Sequence, residues 1–116
     1  MPYRKLVLSL GVFVLTLLPV SPALGGKRHV HVKIGDEFFV RKPAGAVVKA
    51  PLNSKVVWAW TGMEPHNVTV VTGPEVFKSP TRSSGKWVHT VTKAGTYAIV
   101  CTIHGAKIMS MTLKVQ

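Results

Sequence analysis

Acidic residues are scarce in this chain. Asp36, Glu37, Glu64 and Glu75 are the only four among 116 residues, against 15 Lys and Arg, for a formal net charge of +11. A chain so basic attracts acidic partners or anionic surfaces, and salt weakens the attraction. Nucleic acid is a poor fit as partner, because the Lys and Arg are scattered and no recognised nucleic-acid motif is present. Cysteine is scarcer still. Cys101 stands alone, which excludes an internal disulfide. There is no repeat and no low-complexity linker. Beyond residue 26, no window of ten or more residues holds a helical period. The length leaves no room for a second folded domain.

The chain has one long apolar run, at its start. Met1–Lys5 carries Arg4 and Lys5, Leu6–Val20 is free of charge, and residues 21–26 are mostly small, turn-forming types. These read as the basic, apolar and cleavage regions of an export signal. Fifteen helical residues reach only about 22 Å, short of the ~30 Å bilayer core, so a transmembrane anchor fits less well. Cleavage is expected after Gly25, with Ala23 and Gly26 as neighbouring choices. Residues 1–25 are then a cleaved signal peptide and residues 26–116 the mature domain. Losing Arg4 and Lys5 leaves 13 basic residues against the four acids, a net charge of about +9 over 91 residues. The expected location is the periplasm, the outer face of the cell membrane or the medium, with no integral span in the mature chain. A chain this small is expected as a monomer. A lone thiol in an oxidising compartment is a hazard unless something uses it, and metal ligation is one use that protects it.

The mature chain is a series of short segments rich in Val, Thr, Ile, Trp and Tyr, separated by Gly, Pro, Asn and Ser. Strands are expected over His29–Ile34, Glu37–Lys42, Ala46–Ala50, Lys55–Trp60, His66–Thr72, Lys86–Thr92, Thr96–Cys101 and Met109–Val115. Gly73–Gly85, with Pro74 and Pro80, reads as a loop. Seven or eight strands at this spacing predict an all-β sandwich or barrel. Trp58, Trp60 and Tyr97 are expected in its core. Met63 and Ile103 are expected either in the core or beside the site described next.

Cys101-Thr102-Ile103-His104-Gly105-Ala106-Lys107-Ile108-Met109 is a Cys-x2-His-x4-Met sequence lying between two expected strands. Upstream, Glu64-Pro65-His66-Asn67-Val68 opens another strand. Thiolate, imidazole and thioether are soft or borderline ligands that suit copper in both oxidation states. Two His and one Cys with a long axial Met form the donor set of a blue-copper electron-transfer site. One tight loop holds Cys101, His104 and Met109, and a neighbouring strand supplies His66. Four protein donors leave no open position for an activated water, so hydrolysis is disfavoured and no enzyme activity is expected.

At these residues the sequence resembles the cupredoxins, in particular the plastocyanin, pseudoazurin and amicyanin group. The resemblance rests on Pro65-His66-Asn67-Val68, on Gly95-Thr96-Tyr97 before Cys101, on Cys-x2-His-x4-Met and on the tail after Met109. It implies a Greek-key β-sandwich and one type 1 copper with His66, Cys101, His104 and Met109 as ligands. It also implies that Asn67 and Thr102 hydrogen-bond around the ligand loop. Met111 competes with Met109 for the axial role, and the x4 spacing favours Met109. The plastocyanin acidic patch is missing, so a redox partner with an acidic docking surface is implied.

A copper-buffering or copper-delivery protein would use the same ligands, and a structural β-sandwich with a chance thiol would use none. Taken singly, Cys101, His104 and Met109 are ordinary core or loop residues; only their joint spacing argues for a site. His89 is expected on a strand, either facing solvent or packed near Trp87. His29 and His31 share a face of the first strand, where a second metal site is a minor alternative.

Overall fold

The computed structural model describes Gly11, residues 28–41 and residues 44–116. Apart from Gly11, the expected leader lies outside the described residues, as does its cleavage point. The described residues form eight strands and no helix: β1 (His29–Gly35), β2 (Phe38–Phe39), β3 (Ala46–Ala50), β4 (Lys55–Trp60), β5 (Thr69–Thr72), β6 (Gly85–Thr90), β7 (Gly95–Val100) and β8 (Ser110–Val115). They make two four-stranded sheets, ordered β2-β1-β4-β6 and β3-β8-β7-β5. Each sheet is mixed: β1 runs parallel to β4 and β3 parallel to β8, while the other pairs are antiparallel.

Alternation decides which face of each strand is buried. Val32 and Ile34 from β1, Val56, Trp58 and Trp60 from β4, and Tyr97 and Ile99 from β7 turn into one core. Met111, Leu113 and Val115 from β8 join them. Trp58 and Tyr97 are fully buried. The Tyr97 hydroxyl donates to the Lys93 carbonyl at 2.6 Å, clamping the turn that enters β7. Such a clamp is a recurrent corner device in β-sandwiches.

Two expected strands are much shorter in the structure, and β6 and β8 differ from expectation by a residue or two at their ends. Among the described residues of Glu37–Lys42, which end at Arg41, only Phe38–Phe39 form a ladder. Glu37 and Val40 both have left-handed backbones, with φ of 63° and 62°, and a β-branched residue rarely adopts that region. The bend carries Phe39 fully into the core, edge-on to Trp58 with ring centres 6.2 Å apart. Likewise, β5 begins at Thr69 rather than His66. His66 instead makes an isolated bridge to Arg82, with both backbone N–H groups bonded across it. His66 is thereby held on backbone outside the regular ladder, at one end of the sandwich.

The loop before β6 is tied down by Glu75. Its carboxylate accepts from the Thr92 N–H and hydroxyl at 3.2 and 3.1 Å, and lies 3.4 Å from His89 Nε2. The half-buried His89 ring stacks on Phe77 with centres 4.0 Å apart and lies 5.6 Å from Trp87. Partial burial pushes the Glu75 carboxyl up. The Thr92 N–H, the His89 ring and the Thr92 hydroxyl outweigh it and hold the group below its ordinary value of 4.5. A depressed folded value stabilises the protein above the unfolded value, and that contribution is lost as pH falls through the depressed one. Glu75→Gln is therefore expected to cost about 1–2 kcal/mol at neutral pH, and the difference closes as the pH drops below 4.5. Urea unfolding of both proteins at neutral and acid pH checks this. A cost that stays constant would contradict it.

Candidate metal centre

Three side chains from two loops meet at the end of the sandwich. His66, Cys101 and His104 each offer a donor atom, and these atoms all lie within 4.8 Å of one another. Cys101 Sγ is 3.8 Å from His66 Nδ1 and 3.6 Å from His104 Nδ1. The two rings stand 4.9 Å apart, tilted by 36°. Cys101 and His66 are fully buried, and the His104 side chain is 17% exposed. A buried free thiol facing two imidazole nitrogens fits a soft or borderline transition-metal ion, copper included.

Local bonding explains why the loop closes where it does. The Gly105 N–H donates to the Cys101 carbonyl at 2.9 Å, and the Met109 N–H donates to the Gly105 carbonyl at 2.9 Å. The Cys101 N–H in turn donates to the Met109 carbonyl at 3.1 Å. Gly105 has φ of 78°, a left-handed turn that suits glycine. Met109 is fully buried beside Cys101. Met111 lies inside β8, opposite Ile99 and Ala46, and packs with the core.

A shell of hydrogen bonds surrounds these residues. Asn67 Nδ2 donates to Thr102 Oγ1 at 2.7 Å, and the Thr102 N–H donates back to Asn67 Oδ1 at 3.1 Å. The Trp60 indole donates to the His66 carbonyl at 2.9 Å. His66 Nε2 donates to Asp36 Oδ1 at 3.0 Å, and His104 Nε2 lies 3.5 Å from Glu64 Oε2. Asp36 also accepts from the backbone N–H of Glu64 and Met63 at 2.9 and 3.1 Å. The Glu64 N–H first, then the His66 ring and the Met63 N–H, hold the Asp36 carboxyl down at about 2.

No family model and no curated protein matches the sequence. Solved structures do match. A novel purple cupredoxin from Nitrosopumilus maritimus aligns with a TM-score of 0.63 at 17% identity. It covers 75% of this chain and 99% of that one. A mutant amicyanin in its oxidised form aligns at 0.56 and 29% identity, covering 81% and 88%. The chain has the cupredoxin fold. A copper-containing nitrite reductase from Thermus scotoductus also aligns, at 0.62 and 24% identity, but the match covers 77% of this chain and only 22% of the reductase.

Within this cupredoxin fold, His66, Cys101 and His104 come together as the sequence pattern predicts, and Asn67 and Thr102 bond to each other beside them. Met63 and Ile103 are exposed, at 88% and 54%, and so are not core residues. Ile103 lines a groove of about 330 Å³ with Glu64, Pro65 and His104. His29 and His31 lie exposed on β1, with ring centres 6.4 Å apart. Sequence reasoning missed Asp36 and Trp60 at the site. Asp36 sits 30 residues from His66, and no local spacing signals the contact.

Proposed function

We propose that this is an exported blue-copper protein that carries single electrons between redox partners, with one type 1 copper as its only cofactor. The observation that carries the proposal is the buried lone thiol with an imidazole Nδ1 on either side, at 3.6 and 3.8 Å. Cys101 as thiolate, His66, His104 and Met109 would hold the copper. The backbone bond between Cys101 and Met109 supports Met109 in that role, as does the place of Met111 inside β8, paired with Ile99 and Ala46. Copper supplies a one-electron couple when bound. The chain supplies donors fixed by a closed loop and a backbone bridge, so they rearrange little between oxidation states.

His104 offers the exposed edge for electron exit. Its neighbours Ile103, Ala106 and Ile108 are exposed and apolar or small, and allow close approach. Exposed Lys107 adds a positive charge, which favours a partner with an acidic docking surface. The mature domain acts as a monomer outside the cytoplasm after loss of residues 1–25, in the periplasm, on the outer face of the membrane or in the medium.

Voltammetry of the copper-loaded protein tests this reading. A reversible one-electron wave is expected, with exchange to an acidic redox protein slowing as salt rises. Copper that is readily surrendered to a chelator, with no reversible wave, would instead identify a protein that buffers or delivers the metal.

A further inference from the structure

The acids of this chain are few, yet two of the four lie against the outer nitrogens of the two site histidines. They are not equivalent. Glu64 is 3.5 Å from His104 and 56% exposed, so water screens it. Asp36 is 3.0 Å from the fully buried His66 and its own side chain is 40% exposed, but its surroundings are built around it. It sits in the two-residue turn between β1 and β2 and accepts from the Met63 and Glu64 N–H groups. A side chain at Gly62 would collide with its carboxylate. The segment 62–64 thus wraps the carboxylate, and the carboxylate faces the ring.

We propose that Asp36 is a positioning residue of the metal centre: its carboxylate fixes His66 with the proton on Nε2 and the Nδ1 lone pair toward Cys101, and its charge favours the oxidised metal. The proposal rests on reading His66 as a copper ligand. A carboxylate has no proton to offer, so the bond at 3.0 Å requires the proton on His66 Nε2. The backbone leaves the residue little freedom to turn away, because its carbonyl is held by the Trp60 indole and the Arg82 N–H. The negative charge on the far side of the ring stabilises Cu(II) more than Cu(I), by simple Coulomb attraction. Outer partners of metal-bound histidines commonly set ligand orientation and basicity in this way.

The test pairs two variants with a measurement that needs no copper. Asp36→Asn keeps an acceptor oxygen and removes the charge. Its blue band should persist, while the Cu(II)-over-Cu(I) preference falls about three- to tenfold. For a one-electron couple this raises the midpoint potential by about 28 to 59 mV. Asp36→Ala removes the acceptor as well, and Cu(II) affinity should drop about tenfold. In the copper-free protein, long-range ¹⁵N NMR should find His66 protonated at Nε2, with both tautomers populated in Asp36→Ala. An unchanged potential in Asp36→Asn overturns the electrostatic role. A proton on Nδ1 in the unmodified apoprotein overturns the positioning role. Absence of a blue band in the unmodified protein would sink the copper reading instead, and the tautomer measurement would still judge Asp36.

Discussion

Cys101→Ser is expected to abolish the intense visible absorption of the copper-loaded protein while leaving the sandwich folded. The side chain is fully buried and faces both histidine Nδ1 atoms. A thiol gives up its proton on binding metal, and Cys101 would then hold copper as a strong thiolate donor. A serine hydroxyl of nearly the same shape cannot become an anion at neutral pH. Any copper that remains is then held without a thiolate and is weakly coloured. The cost to the fold itself is about 1–2 kcal/mol, from burying a hydroxyl where a thiol fits. Visible spectra and urea unfolding curves of the two proteins check both halves. A band that survives the substitution would remove the thiolate from the site.

The second large effect is expected from Asn67→Ala. Asn67 is 2% exposed and joins the approach to β5 to the ligand loop. Its amide donates to Thr102 Oγ1 at 2.7 Å, and its oxygen accepts from the Thr102 N–H at 3.1 Å and from Thr69 Oγ1 at 2.8 Å. Truncation leaves those groups without their partner and opens a small void. The expected loss is about 2–3 kcal/mol, which in a domain of this size lowers Tm by roughly 10 °C or more. Copper should also leave faster, because Thr102 follows Cys101 directly. Calorimetry and the rate of metal loss to a chelator measure the two consequences. A variant as stable as the parent would show that the link is decorative.

Much of the fold was readable from short runs of strand-forming residues bounded by turn residues. Lys55–Trp60 and Ala46–Ala50 form strands over those very residues, because their Val, Trp and Ala side chains fit a half-buried pleated surface. The Cys101–Met109 loop was readable because three of its side chains belong to one kind of chemistry at short range. The second strand was not, since nothing in the residue types of Glu37 or Val40 announces a left-handed backbone. Asp36 was equally hidden. It reaches His66 only because β1 lies parallel to β4 with Ile34 opposite Trp60. That register carries the turn after β1 to the segment after β4. Spacing along the chain holds no record of which strands pair, so an outer partner of a ligand is visible only after the sheet has formed. His89 shows the same limit: its strand face was readable, but its stacking on Phe77 depends on how Glu75 folds the preceding loop back.

The most direct test of the copper reading is a titration of the mature protein with Cu(II), followed by visible absorption. An intense blue band is expected, growing linearly and saturating at about one copper per chain. A protein that stays colourless and takes up no copper would contradict it, and would leave the buried cluster of His66, Cys101 and His104 without the role assigned to it.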